Sequence, residues 1–389
     1  MVLTINGGSS SIKFSVYRIQ NPLELFLSGS IENIGTDKVR LTSTIRDQHK
    51  NSTEIEAIDH GQAADYLSHW LERHQDIASI QAIGHRIVFG MEHVQPEIIT
   101  DEFLKELKSM TAFDPDHLPE EIKLIEVFKK SYPTIKQIAC FDTAFHTSMP
   151  MVAQLLSLPL RYFERGIRRY GFHGLSYTYL VEELERITGK GTAEGKIILA
   201  HLGSGASLAA VKNGKGIDTT MGFTPTSGLP MGTRTGDLDP GVIRYLMQEE
   251  NLDPNAFNRL INHESGLLGL SETSADMREL LQIESNDHRA SEAIDLFCYQ
   301  TKKWIGASTA ALDGLDTLVF SGGIGENCYQ VRDRICEGLK FLGIEIDEMK
   351  NRNNETIIST DHSSVKVYVI TTNEEIIIAR LVISLLKLN

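Results

Sequence analysis

The sequence predicts an α/β fold built as two similar halves, and three observations predict it. A strand–tight turn–strand pattern occurs twice, about half a chain apart. Each half holds an apolar strand that runs straight into a polar residue. Helical periodicity alternates with these strands, the arrangement that defines α/β domains.

Residues 2–5 form the first strand, Asn6-Gly7-Gly8-Ser9-Ser10 a tight turn, and residues 11–18 a second strand with Ile12, Phe14 and Val16 alternating. The apolar run 135–141 delivers Asp142 to a strand's C-terminal end, where open α/β sheets place ligand groups. Residues 197–202 repeat the first design, followed by a Gly203-Ser204-Gly205 turn and a strand at 207–211 that ends on Asn213-Gly214. Segment 222–241 holds five Gly and three Pro in twenty residues. A loop that long without structure of its own is functional or disordered, and its embedded Met, Leu and Phe indicate an ordered binding loop. Apolar residues at 294, 297, 298, 304 and 305 mark a buried-face helix over 291–312. The strand 318–320 then runs into Ser321-Gly322-Gly323-Ile324-Gly325-Glu326-Asn327. Finally, Thr372-Asn373-Glu374-Glu375 is a capping-box pattern that opens a helix through Leu388.

A chain of 389 residues favours two or three domains and needs no disulfide staples to bury a core. Its 52 acidic residues against 38 Lys plus Arg leave a net charge of -14. That acidity argues against a nucleic-acid partner, because duplex affinity rests on phosphate neutralisation. An anionic ligand would need a local exception. The four cysteines show neither a CxxC pair nor zinc-ligand spacing, and Cys140 and Cys298 lie in apolar segments, as small core residues of a reducing compartment do. The N-terminus has no basic leader, and the longest apolar stretch, 376–388, is interrupted by Arg380 and Lys387 and too short for a bilayer. The expectation is a cytoplasmic protein with no membrane partner.

Neither GxxxxGK[ST] nor a GxGxxG after a strand occurs, which disfavours P-loop NTPases and dinucleotide dehydrogenases; HExxH and GxSxG are absent too. Three Gly-rich turns remain. Such turns can aim several backbone N–H groups at one anion, although a plain hairpin explains either of the first two equally well. Lys13 adds a cation beside the first turn. The Gly run at 322–325, between strand and helix, suits close backbone approach to a nucleotide. Arg86, inside Ile83-Gly84-His85-Arg86-Ile87-Val88, needs a partner, either a structural ion pair or a ligand. His173 stands in Tyr170-Gly171-Phe172-His173-Gly174; a lone histidine of this kind is more often a satisfied core residue than a catalyst.

Taken in order, these segments resemble the acetate kinase family, within the acetate and sugar kinase/chaperone/actin superfamily. The resemblance runs the whole length: Asn6 to Lys13, Gly84 to Val88, Phe141-Asp142-Thr143-Ala144-Phe145-His146, Tyr170 to Gly174, His201 to Gly205, Met231-Gly232-Thr233-Arg234-Thr235-Gly236-Asp237, Gly323 to Asn327 and Thr372 to Glu375. It implies a duplicated two-domain actin-like ATPase (ribonuclease H-like) fold with an interdomain cleft. Residues 1–147, completed by a helix at 376–389, would form the carboxylate and Mg²⁺ side, and 148–375 the nucleotide-binding domain. The implied activity is reversible, ATP-dependent phosphorylation of a short-chain carboxylate to an acyl phosphate, with acetate first and propionate, butyrate or a hydroxylated acceptor as alternatives. A homodimer is implied as well.

On matching positions, Asn6 and Glu374 would hold Mg²⁺, with Mn²⁺ as an alternative. Lys13, Ser9 and Ser11 would approach the phosphates of ATP. His201, Leu202, Gly203, Ser204 and Gly205, then Asp276, Met277 and Arg278, then Gly323, Ile324, Gly325, Glu326 and Asn327 would line the ATP site. Arg86 would bind the acceptor carboxylate, with Val88, Phe172 and Pro225 around its alkyl group. Asp142 would be the catalytic acidic residue, His173 and Arg234 would stabilise the transition state, and His117 would stand near them. The chemistry suits these residue types. A carboxylate acceptor is already ionised at neutral pH, so the obstacle is repulsion between anions, and catalysis rests on positioning and cations. A general base is therefore unnecessary, and Asp142 is better suited to orienting the metal or its water. A kinase acting on a hydroxyl would instead use Asp142 as a base.

The sequence departs from the family pattern at three places. Ile87-Val88-Phe89-Gly90-Met91 stands where Val-Val-His-Gly-Gly is usual, and Ser204 stands for an Asn. Asp114-Pro115-Asp116-His117-Leu118-Pro119 replaces Ala-Pro-Leu-His-Asn-Pro. The last change sets Asp116 at an apolar wall position, unfavourable beside a carboxylate unless the side chain faces away or meets a cation.

Overall fold

Two sheets carry the two compact units of the computed structural model, which describes residues 1–8, 10–36, 38–46, 50–74 and 79–388. Ser9, assigned above to the phosphates, lies outside the described residues. Unit 1 comprises Met1–Ala144 and Asn373–Asn389. Its strands are β1 (Val2–Gly8), β2 (Ser11–Arg18), β3 (Glu24–Glu32), β4 (Arg40–Ile45), β5 (Asn51–Glu54), β6 (Ala82–Ile87), β7 (Glu97–Ile98) and β8 (Lys136–Phe141), in the order β5-β4-β3-β2-β1-β6-β8-β7. β1 pairs antiparallel with β2 and parallel with β6, and β6 pairs parallel with β8. The first strand runs three residues further than its apolar pattern predicts. Asn6, Gly7 and Gly8 continue the ladder opposite Lys13, Ile12 and Ser11, so most of the expected turn is strand.

Unit 2 comprises Phe145–Thr372. Its strands are β9 (Lys196–Leu202), β10 (Ala206–Lys212), β11 (Lys215–Thr219), β12 (Thr317–Ser321) and β13 (Lys366–Val369), in the order β11-β10-β9-β12-β13. Here β9–β10–β11 are antiparallel and β9–β12–β13 parallel. This repeats β3-β2-β1-β6-β8 strand for strand and direction for direction. The duplication suggested by the two hairpins is therefore a property of the sheets. By position, β12 with its Gly run matches β6 with Arg86.

The helix predicted at 291–312 spans His288–Ala311, starting earlier because the Asp287 side chain accepts the Arg289 N–H (3.0 Å). Ile294, Phe297, Cys298 and Ile305 are buried on it, together with Thr301 and Ser308. The terminal helix is Glu374–Leu386, capped by Asn373 Oδ1 accepting from Ile376 N (3.0 Å) and not by Thr372, whose hydroxyl shares a hydrogen bond with Ser176 Oγ (2.8 Å). Its apolar face, with Ile377, Ile378, Ala379 and Val382 buried, packs on β6. All four cysteines are free and buried. Among the described residues no helix is long and apolar enough to cross a membrane.

The contact between β6 and the terminal helix depends on Gly84. A Cβ there would sit 2.4 Å from Ile378 Cγ2 and 2.7 Å from Val382 Cγ2. Gly84→Ala should accordingly cost about 1–3 kcal/mol, as overpacked cores do. Equilibrium urea unfolding checks this, and an unchanged midpoint would mean that the helix is free to move away.

Candidate functional site

The ends of three parallel strands in unit 1 assemble a charged cluster. Register pairs Ile5 with His85 and Ile87 with Phe141, so Asn6, Arg86 and Asp142 emerge side by side. Arg86 donates from Nε and Nη2 to Asp142 Oδ2 (3.0 and 2.5 Å), and from Nη1 to Asn6 Oδ1 (3.2 Å) and the Gly7 carbonyl (3.3 Å). A guanidinium has five N–H donors, so among the described residues these four bonds leave one N–H on Nη2 for a further acceptor. Asn6 Nδ2 in turn donates to Glu374 Oε2 (2.8 Å) and Glu375 Oε1 (3.1 Å) on the first turn of the terminal helix. Asp142 is fully buried. Burial alone would weaken the charge on Arg86, but the Asp142 and Glu374 carboxylates outweigh it and raise its pKa above the ordinary arginine value. Lys13 is exposed and lies opposite Asn6 in the β1–β2 ladder; Ser11 is half-buried opposite Gly8.

Beside this cluster the helix Leu118–Ser131 presents an acid that the sequence reading missed. Glu121 Oε1 accepts the N–H of Val88 (3.0 Å), just past the end of β6. His117, immediately before the helix, bonds through Nδ1 to Asp114 Oδ1 (2.9 Å). Asp114 and Glu121 are each 3% exposed, and Asp114 Oδ2 and Glu121 Oε2 are buried with no hydrogen-bond partner among the described residues. Burial and the neighbouring Asp114 carboxylate push Glu121 well above the usual carboxylate range, against an opposite pull from Arg86 and the Val88 N–H. Asp116, the acid expected to intrude, is only half-buried and lines a small cavity with His60, His117 and Glu120. The signal for Glu121 was its place on the apolar stripe of Leu118, Ile122, Ile125 and Phe128.

In unit 2, His173 adopts a left-handed backbone (φ 58°) at the start of the helix Gly174–Thr188. Its Nδ1 is 2.8 Å from Ser207 Oγ on β10, which also meets the Tyr177 hydroxyl (2.5 Å). The ring stacks on His201 with centroids 4.3 Å apart. His201 is held by Ser176 Oγ at 2.8 Å from Nδ1. These contacts fix the ring with Nε2 toward Gly205, where a Cβ would lie 3.2 Å from Nε2 and 4.0 Å from Arg234 Nη1. His173 and Arg234 therefore converge on the same turn.

Arg234 is presented by the long Gly/Pro loop, which is ordered as expected. Its Nη1 donates to the carbonyl of buried Pro225 (3.0 Å). Gly228 N donates to Asp237 Oδ1 (2.8 Å) and Asp237 N to Gly228 O (3.0 Å), while Met231 N reaches Arg234 O (3.0 Å) and Gly232 N reaches Ser204 O (3.1 Å). Phe172, expected in the acceptor pocket, is 1% exposed, and its carbonyl accepts from His146 Nε2 (2.9 Å).

The two Gly turns of unit 2 meet because Ser321 pairs with His201 across β12 and β9. A Cβ on Gly203 would lie 3.7 Å from Gly323 N. Gly322 has φ 75°, and a Cβ there would strike the Leu202 carbonyl at 2.7 Å. Glu326 turns inward: Oε1 accepts from Gly322 N (2.9 Å), Thr372 N (3.1 Å) and Ser321 Oγ (3.3 Å). Arg332, fully buried and unnoticed in the sequence, donates to the carbonyls of Gly325 (2.8 Å) and Glu326 (3.0 Å), closing the other end of the helix Gly322–Asn327. Leu202, Ile324 and Met277 are buried side chains, whereas Ser204 and Asn327 are exposed. Asp276 caps the helix Met277–Ile283 and pairs with Arg278 (2.5 Å), which holds its carboxyl below the usual range.

The sequence model of the Acetokinase family matches residues 1–380. The chain is 43% identical to an acetate kinase of Clostridium kluyveri over 391 residues, covering 97% of this chain and 96% of that protein. It is 42% identical to a propionate kinase of Citrobacter rodentium over 385 residues, with 97% and 95% covered. Among solved structures it is similar to a propionate kinase of Francisella tularensis, with a TM-score of 0.91, 35% identity, and 98% and 99% covered.

The loop geometry carries its own test at Gly266. With φ 62°, a Cβ there would lie 2.1 Å from the Met231 carbonyl and 2.7 Å from that of Arg234. Gly266→Ala should cost about 1–3 kcal/mol and raise amide exchange at Met231 and Gly232. Native protection of both amides in the variant would show that the loop is held by other contacts.

Proposed function

Because the chain belongs to the acetokinase family, whose fold is that of the actin-like ATPases, we propose that it transfers the terminal phosphoryl group of ATP to acetate, with propionate as a second acceptor. The observation that carries this reading is the Asn6–Arg86–Asp142 cluster, a fixed cation with one N–H uncommitted among the described residues. Arg86 binds the acceptor carboxylate and draws its charge down as it attacks. Asp142 accepts two bonds from that guanidinium, which supports a role in orienting it and not in removing a proton. No proton needs removing, since the acceptor is already an anion.

On unit 2, Arg234 and His173 Nε2 face the transferring group, and the turns at Ser204 and Gly323 present backbone to the phosphates, since the Gly322 N–H is committed to Glu326 and the Gly203 N–H to the Gly205 carbonyl. Preorganised donors of this kind act where charge develops and require no reorganisation at the moment of reaction. Glu374 and Glu375 offer hard carboxylate oxygens, whereas Asn6 turns Nδ2 to both and Oδ1 to Arg86, so Asn6 would join them in holding Mg²⁺ only with its amide turned over. Two carboxylates suit Mg²⁺, which keeps several waters and shares its sphere with substrate phosphates. When bound, Mg²⁺ neutralises charge on the phosphate oxygens. A homodimer and a cytoplasmic setting belong to the same reading.

Trapping with hydroxylamine tests the reaction, since only an acyl phosphate gives a hydroxamate. ATP-dependent hydroxamate from acetate and propionate is expected, the two differing by the ~1–3 kcal/mol that one methylene carries; ATP turnover independent of every short carboxylate would refute the proposal. Arg86→Ala should lower kcat/KM for the acceptor by about 10²–10³, chiefly through KM. An undiminished carboxylate dependence would sink the assignment of Arg86. Asp142→Asn should scale activity down evenly across pH, whereas loss of a distinct acidic limb would make Asp142 a base.

A further inference from the structure

We propose that Glu121 is a positioning residue for Arg86: its carboxyl fixes the chain immediately after that arginine and does so without adding charge to the acceptor site. The proposal rests on the reading of Arg86 as the acceptor ligand. β6 ends at Ile87, so the Val88 N–H falls outside the ladder, and Glu121 Oε1 accepts it at 3.0 Å from a helix 33 residues further along the chain. Val88 is two residues from Arg86 and itself buried. A shift of this strand end would carry the guanidinium away from Asp142 and Asn6.

The surroundings decide the charge. Asp114 from the preceding segment, Asp142 from the end of β8 and Arg86 from β6 all act on Glu121. His60, Asp116, His117 and Glu120 line the small cavity that Glu121 also lines. Its second oxygen is buried and unpartnered among the described residues, a costly position for a carboxylate but a tolerable one for a neutral acid. Burial and Asp114 favour the neutral form, as its raised pKa states. An ionised Glu121 would add one more negative charge beside Arg86 and oppose an incoming carboxylate. A neutral Glu121 holds the backbone and leaves the guanidinium its charge.

Two substitutions separate position from charge. Glu121→Gln keeps an acceptor for the Val88 N–H and stays uncharged, so the acceptor KM should remain within about twofold of the native value. Glu121→Ala removes the acceptor and should raise the acceptor KM about tenfold or more, roughly one lost buried hydrogen bond, while the KM for ATP stays unchanged in both. Should the alanine variant not fold, Glu121→Met takes its place. Thermal midpoints against pH give a second readout. The folded chain keeps the Glu121 proton after the unfolded chain has released its own near pH 4.5. Native stability from this group is thus lost as pH rises above that value, and the advantage of the glutamine variant should widen.

Equal acceptor KM values in the native, glutamine and alanine proteins would overturn the positioning role. A glutamine variant as impaired as the alanine one, with a midpoint difference independent of pH, would show that Glu121 works ionised. If the native chain forms no hydroxamate with any carboxylate, the acceptor reading itself fails. The midpoint comparison then still decides the charge of Glu121.

Discussion

The Arg86–Asp142 pair forms because three parallel strands end in register, and the terminal helix packs against one of them. Removing two charges from water is expensive, and a buried pair is tolerable only where the remaining donors are satisfied. Here the Asn6 side chain and the Gly7 carbonyl take two more N–H groups from Arg86, and Asn6 is itself oriented by Glu374 and Glu375. Those glutamates arrive from the far end of the chain on a helix whose seat on β6 needs a residue without Cβ at Gly84. A local ion pair therefore depends on contacts between segments about 370 residues apart, and on a glycine that contributes no side chain.

Unit 2 repeats the strand pattern but fills the equivalent positions differently. Where β6 carries Arg86, β12 leads into glycines, and the carboxylate of Glu326 folds back to hold Gly322 and Thr372 in place of a ligand. The duplicated sheet thus supplies side-chain charge at one set of strand ends and bare backbone at the other. Catalysis of phosphoryl transfer to an anion needs both kinds of surface, cations for the reacting groups and N–H donors for phosphates.

The hairpins, the long helix over 288–311, the terminal helix and the alternation of the class were legible in the sequence because period and turn chemistry are local signals. So were Arg86 and Asp142, each a charge in an otherwise apolar setting. Less was legible where pairing overrides local preference. Asn6-Gly7-Gly8 reads as a turn and is strand because Lys13, Ile12 and Ser11 stand opposite. Thr372 reads as a cap, but its hydroxyl is used by Ser176. Arg332 gives no local signal, since the carbonyls it serves are at a helix end that spacing does not reveal. In Asp114-Pro115-Asp116 it is Asp114 that is buried, with Oδ1 on His117 Nδ1, while Asp116 is half-buried; that choice is tertiary.

The net negative charge of the chain and the anionic nature of its substrates are reconciled by where protons and pairs sit. Arg86 is surrounded by Asp142, Glu374 and Glu121, and with all three ionised it would be neutralised several times over. Asp142 is spent on fixing its geometry. Glu374 is turned to Asn6, where phosphate and a divalent cation would share its charge. Glu121, the most deeply placed acid on its helix, sits where burial and the Asp114 carboxylate favour its neutral form, which on the proposal above spares Arg86 a third charge. On this balance the acidic composition is a property of the solvated surface. The acceptor site stays receptive to an anion through one shared guanidinium, and its three neighbouring carboxyl groups are each committed to another task.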